Sequence, residues 1–366
     1  MRTHQAHASD GIGLVDLMVG LAIGMLAMLV ILQVAVLFES RRKATLGSSD
    51  AQINSINAVA IISRDLRIAG YGLGPSDALA CKVKRHFQND IADLVLQPVT
   101  IIDGVSGAPD TLRLLASAKQ ESSAAAHLIT THPADATTLL VNSTLGIAVN
   151  DLLVLQEPGK SCTMLQATAV PVSDFRVSHD TTSGWNTTTP VTLFPAAGYG
   201  VGAAVINLGS VTDHRYSTNA SSQLQAEHYL SANDSWEAMP LASNIVSLQA
   251  QYGFDTRAGA QATPQVTWWS SGMLDADGNG ISGDNGDLRR LLAIRFAIVA
   301  RSDKPEPPAA TGCNTAVAPA WLAGADADGQ LIQTNIDVSS DPNWRCYRYR
   351  VLQSVVPLRN LIWSQP

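Results

Sequence analysis

Hydrophobic positions fall along this chain in two regimes. From Leu14 to Phe38 nearly every residue is apolar, and about 20 such residues suffice for a helix to cross a bilayer. The run contains one charged residue, Asp16. A carboxylate in such a span costs roughly 2.5–3.5 kcal/mol on insertion scales, so its presence marks function. Past Glu39–Lys43 the pattern turns amphipathic. Ile56, Val59, Ile62, Leu66 and Ala69 recur at spacings of 3, 3, 4 and 3, which is one face of a helix. Arg64, Asp65 and Arg67 lie off that face, and Gly70 and Gly72 supply a stop. The pattern predicts one continuous helix over 12–69, roughly 85–90 Å long at 1.5 Å per residue. Its weak point is Gly47-Ser48-Ser49.

After Pro75 the texture changes to short β-like runs separated by Gly, Pro, Asn, Asp and Ser. Strands are expected at 112–116, 151–156, 163–170, 191–194, 203–208, 223–230, 245–254, 265–269, 291–301 and 347–355. The stretch Leu291–Ala300 (LLAIRFAIVA) is nearly all apolar, as a strand covered on both faces would be. Arg345–Val351 (RCYRYRV) alternates, so one face should be packed and the other wet. The Ser/Thr/Ala-rich segments 117–138 and 180–190 read as surface loops. The expected fold class is therefore α+β: a long N-terminal helix, membrane-spanning in its first part, packed by its second part on an antiparallel β-rich domain. The divisions are 12–38 for the apolar helix, 39–72 for its amphipathic continuation and 73–366 for the β-rich domain.

Charge and cysteine content narrow the function classes. The net charge is −7, and no Lys/Arg cluster interleaves with aromatics, which argues against nucleic-acid binding. Cys81, Cys162, Cys313 and Cys346 contain no CxxC pair, so zinc spacing is absent. An even count beyond a membrane span suggests disulfides and an oxidising compartment. Three pairings are open; Cys81–Cys162 with Cys313–Cys346 closes the shorter loops. The apolar run is too long for a cleaved secretory signal and lacks a small-residue site after it; the small residue Gly11 stands before it instead.

The segment Gly11-Ile12-Gly13-Leu14-Val15-Asp16-Leu17-Met18-Val19 resembles the class III signal of type IV pilins and pseudopilins. The resemblance implies a leader over 1–11, cleavage by a prepilin peptidase between Gly11 and Ile12, and methylation of the new Ile12 amine. Asp16 takes the fifth mature position, usually Glu, where a carboxylate can pair with the free amine of a neighbouring subunit. An unpaired buried charge is costly, so such pairing favours correct register. The chain departs from the pattern at Ile12 for Phe, Gly13 for Thr or Ser, Asp16 for Glu, and in the acidic Asp10. Downstream, Ile62–Gly72 (ISRDLRIAGYG), Gln249–Thr256 (QAQYGFDT), Arg295–Ser302 (RFAIVARS) and Val355–Trp363 (VVPLRNLIW) are similar to the order of elements in PilW-type minor pilins. That implies a pilin-like fold and a low-abundance subunit that primes type IV pilus assembly near the tip. The implied partners are other minor and major pilins, the inner-membrane assembly platform and a tip adhesin. Its location would be the inner membrane, with the C-terminal domain in the periplasm, and then the filament. Charge alone argues the reverse orientation, because Arg41, Arg42 and Lys43 follow the span and only Arg2 precedes it; the resemblance and the cysteines outweigh it. A type II secretion pseudopilin is the nearest rival, and a membrane-anchored periplasmic enzyme a more distant one.

One loop carries metal chemistry. In Asp275–Asp287 (DADGNGISGDNGD), Asp275, Asp277 and Asn279 alternate before Gly280, as at the start of a calcium loop. Ile281 can add a carbonyl. The twelfth position is Gly286, so Asp284 or Asp287 would have to supply the remaining carboxylate. The competing reading is a solvated turn-rich loop, and DADG at 326–329 repeats only the opening. No cofactor is required by any motif. HExxH, P-loop and GxSxG patterns are absent, and Gly198, Gly200 and Gly202 lack the strand–helix context of a dinucleotide fingerprint. Trp268, Trp269 and Trp344 are expected to pack in the core or at an interface.

Overall fold

A computed structural model describes residues 13–119, 124–171, 174–259, 261, 263–306, 313, 317–325 and 331–362. Gly11, Ile12, the 1–11 leader and the 326–329 repeat lie outside the described residues.

Helix α1 spans Leu14–Ile68 without interruption through Gly47-Ser48-Ser49. It ends where expected. Gly70 takes a left-handed φ of 81°, and a Cβ there would lie 3.2 Å from the Pro98 ring, so a side chain would be strained and crowded. The docking face differs from the expected one. Ile56 is exposed, and the buried row is Ala51, Ser55, Ala58, Ile62, Leu66 and Ala69. The first three of these are small, which lets the helix lie close to the sheets; Ser55 Oγ donates to the Ala51 carbonyl at 2.6 Å. Apolar periodicity weights large side chains and therefore misplaces this half of the stripe. Asp65, expected off the face, is also buried.

Three larger sheets follow among the described residues, almost wholly antiparallel. The first orders Asp90–Val95, Lys82–Phe87, Cys162–Gln166, Leu152–Gln156, Ala204–Gly209 and Ala126–His127. Within it, Lys82–Phe87 and Cys162–Gln166 run parallel. The second orders Ser235–Ser243, Gln223–Leu230, Thr212–Thr218, Thr111–Ala116 and Val99–Ile102. The third orders Trp268–Ser270, Ile245–Phe254, Leu291–Arg301 and Tyr349–Pro357. α1 packs chiefly on the last two of these strands.

The central strand Leu291–Arg301 is buried from Leu291 to Ala300, as its composition predicted. Ile294, Phe296 and Ile298 join the main core with Ile62 and Leu66 of α1. Ala297 and Val299 point into a smaller cluster with Trp321, Ile336 and Val338. Both faces are covered, so the strand shows no alternation.

Other expected strands shift. Residues 191–194 form no strand: Pro190, which has no N–H for a ladder, opens a 3-10 turn at Pro190–Thr192, and Leu193 and Phe194 anchor it in the core. The 163–170 strand stops at Gln166, and the 265–269 strand is confined to Trp268–Ser270. The hairpin Lys82–Phe87/Asp90–Val95 was not expected, because its charges conceal the alternation.

Candidate functional site

The N-terminal part of α1 is the first functional element. Leu14–Val36 has a mean hydropathy of 2.5 over 23 residues, and none of it is buried within the chain. A helix apolar on all sides is stable only when something else covers it, such as lipid or other helices. Asp16 lies in its first turn, and the Gly13 N–H donates to Asp16 Oδ2 at 3.3 Å. An acid is favourable at this end because the helix dipole is positive there.

At the other end of α1, Asp65 joins the helix to the second sheet. Its carboxylate lies 2.9 Å from Nδ1 of His214 and accepts a hydrogen bond from the Tyr216 hydroxyl. Arg64 Nε donates to it at 3.0 Å from the exposed side. Burial pushes this carboxyl up, but the hydrogen bonds from His214, Tyr216 and Arg64 outweigh it and hold the group at about 2. The same burial, together with the Asp65 charge, raises the Tyr216 hydroxyl well above its usual range. The His214 ring stacks on His228 with centroids 4.2 Å apart. Sequence reasoning missed this cluster, since no spacing rule connects position 65 with 214 and 216.

The acidic loop is ordered by its own backbone. Asp275 accepts N–H bonds from Gly278, Asn279 and Gly280 at 2.8 to 3.0 Å. Asp287 is fully buried and accepts from Ala276, Asp277, Gly283 and Asp284. Burial nevertheless shifts its carboxyl upward. Asp275, Asp277 and Asp287 each offer a carboxylate oxygen, all within 4.8 Å of one another, and could hold a divalent cation. Asp284 instead caps the short helix α2 (Asn285–Arg290), accepting the Asp287 N–H at 3.1 Å. The Asn279 amide donates to Asp277 and Asp284, and the Ile281 side chain is exposed. Gly286 is required here: a Cβ would stand 1.9 Å from Asp277 Oδ2.

Cys81 is bonded to Cys162, and Cys313 to Cys346. The first cystine sits at the parallel strand pair of the first sheet, where Val83 faces Cys162. Trp269 and Trp321 flank the Arg295 guanidinium at 4.6 and 5.2 Å, and burial pushes that group down to about 10.

The strands from Thr212 onward carry the likeness to a known family. Residues 211–360 match the family model of PilW, Type IV Pilus-assembly protein W. This part of the chain is PilW-like. The matched region holds the two Asp65 partners on the sheet, His214 and Tyr216, the acidic loop and the two strands on which α1 chiefly packs. No curated protein matches the chain. Among solved structures it is similar to the type IV-like pilin TTHA1219 from Thermus thermophilus, at 10% identity. That alignment covers 86% of this chain and 96% of the other, with a TM-score of 0.30. The PilW match relates the chain to the type IV pilus, and its apolar N-terminal helix is long enough to anchor it in a membrane.

Proposed function

We propose that this PilW-like chain is a minor pilin that primes type IV pilus assembly and enters the filament near its tip, a structural role rather than a catalytic one. The observation that carries the reading is a single helix with two kinds of surface. Its first part has no cover within the chain, whereas its second part is locked to PilW-like sheets. The apolar part parks the subunit in the inner membrane and then packs among the helices of neighbouring pilins. Asp16 pairs with the amine of an adjacent subunit, and a prepilin peptidase exposes that amine at Ile12. The β-rich part, outside the membrane, faces other minor pilins and a tip adhesin.

The test is mass spectrometry of the N-terminal peptide from sheared surface filaments and from membranes. A peptide beginning at Ile12 in the filament fraction is expected. An intact Met1 terminus found solely in membranes would refute the pilin reading.

A further inference from the structure

Three polar side chains, Lys119, Asp151 and Asn207, converge where the second sheet meets the first. The segment 117–119, just past the strand Thr111–Ala116, runs along the strand Ala204–Gly209. Ser117 Oγ donates to the Asn207 carbonyl, and the Ala118 N–H to the Leu208 carbonyl, both at 2.9 Å. The register of Ala204–Gly209 slips between Asn207 and Gly209. A bulge of this kind re-aims the side chains beside it. Gly209 takes a left-handed φ of 62° there, and a Cβ on it would stand 3.0 Å from the Lys119 stem. The lysine therefore lies across the bare glycine, with its amine carried on to Asp151.

Asp151 is only 6% exposed and serves both neighbours through one oxygen. Its Oδ2 lies 3.0 Å from Lys119 Nζ and accepts from Asn207 Nδ2 at 2.9 Å. The Ala148 N–H donates to the same oxygen at 2.7 Å and holds it in place. The Asn207 amide is fixed as well: Nδ2 also donates to the Gly146 carbonyl, and Oδ1 accepts the Gly209 N–H, both at 2.9 Å. An ion pair needs only the amine and the acid. Here an amide carbon stands beside them, its oxygen already facing a backbone N–H and its nitrogen already bonded to the acid. Nucleophile, proton carrier, oxyanion donor and leaving group are thus assembled in one place, as acyl transfer requires.

We propose that Lys119 and Asn207 join in an isopeptide bond, formed by the folded chain itself with Asp151 as the proton carrier. Asp151 takes a proton from the Lys119 ammonium, and the freed Nζ lone pair attacks Asn207 Cγ. The Gly209 N–H stabilises the negative charge that develops on Oδ1. Asp151 passes its proton to Nδ2 and takes a second from Nζ. The Cγ–Nδ2 bond breaks, and the nitrogen departs with that second proton as ammonium. One amine and one side-chain amide are consumed, one amide forms, and no co-reactant enters. Holding the groups on a shared oxygen makes the step unimolecular, which is what allows an unreactive amide to be attacked. The bond ties the second sheet to the first. It requires neither cleavage nor filament entry, so it stands apart from the assembly reading.

The test is tryptic mapping by mass spectrometry of the full chain, purified in detergent and reduced. Trypsin should fail to cut after Lys119, and a branched peptide should join Lys119 to Asn207, lighter than its two parts by one ammonia. Lys119→Arg, which keeps a cation beside Asp151, and Asn207→Ala should each yield only linear peptides, and Lys119→Arg should melt at a lower temperature. Asp151→Ala should also stay unlinked. Linear peptides alone from the unsubstituted chain would overturn the proposal. An ammonia loss at Asn207 that persists in Lys119→Arg would overturn it too, since that is the mark of a cyclic imide. A branched peptide from Asp151→Ala would remove Asp151 as the proton carrier.

Discussion

The carboxylate of Asp65 on the helix lies 2.9 Å from Nδ1 of His214, on a strand 149 residues later in the chain. This contact and the Tyr216 hydroxyl fix the rotation of α1 on the second sheet. Apolar packing alone would tolerate small rotations of a face made from Ala51, Ser55 and Ala58. A buried acid with two defined partners on the sheet does not, because losing either leaves a polar group unsatisfied.

Replacing Asp65 should therefore loosen the joint between helix and sheets. Asp65→Ala strands the Tyr216 hydroxyl and should cost about 3 kcal/mol, whereas Asp65→Asn should cost less. Denaturant unfolding of the full chain in detergent, followed by tryptophan fluorescence, measures both. Equal stability of Asp65→Ala and the unsubstituted chain would show that the cluster is not a structural joint.

The same residue predicts acid sensitivity. Its folded value of about 2 lies below that of an unfolded Asp. Its contribution is therefore complete above about pH 4 and is lost as the pH falls towards 2. The size is about 2 kcal/mol. A pH series of melting temperatures should fall more steeply in this window for the unsubstituted chain than for Asp65→Asn. Parallel curves would contradict the assignment.

The Cys81–Cys162 bond staples the parallel strand pair across a sequence separation of 81 residues. A parallel pairing lacks the tight connection that guides a hairpin, so the cross-link should matter here. The double variant Cys81→Ser, Cys162→Ser should lose about 2–5 kcal/mol. Reduction of the unsubstituted chain should produce a similar drop in calorimetry, and a drop well below 1 kcal/mol in both would exclude the staple role.

Calcium should stabilise the acidic loop. At a hundredfold excess over Kd, a cation bound only by the folded chain adds about 2.7 kcal/mol. Asp277→Ala is the informative variant, because Asp287 also orders the backbone through four N–H groups. The calcium-dependent rise in melting temperature should vanish in Asp277→Ala. A rise that survives there, or no rise in the unsubstituted chain, would eliminate the site.

Asp16 gives a prediction for assembly. Asp16→Ala should still insert into the membrane, since it removes a charge from an apolar span. It should be lost from sheared filaments, and Asp16→Glu should be retained. Quantitative peptide counting in the two fractions decides it; equal incorporation of Asp16→Ala would remove the pairing role.

Several elements were legible because their information is local. The length and apolarity of 14–38 and the glycines at 70 and 72 act within a few turns, so α1 and its end were readable from residue order. Leu291–Ala300 was readable for the same reason: a strand covered on both faces must be apolar throughout. The acid pattern at 275–287 pointed to the cluster, although the fold chose Asp287 and left Asp284 to cap a helix. The PilW-like motifs from Gln249 onward pointed to the match over residues 211–360, whereas Ile62–Gly72 lies outside it.

The tertiary structure alone decided which face of the helix docks, what Asp65 touches, and that Gln88 donates to the Gly184 carbonyl. Each depends on partners far apart in sequence. Small residues such as Ala51, Ser55 and Ala58 carry little hydrophobic signal, yet they permit the closest approach. A buried polar group declares itself only when its surroundings are known, because the cost of burying it is set by the neighbours that satisfy it.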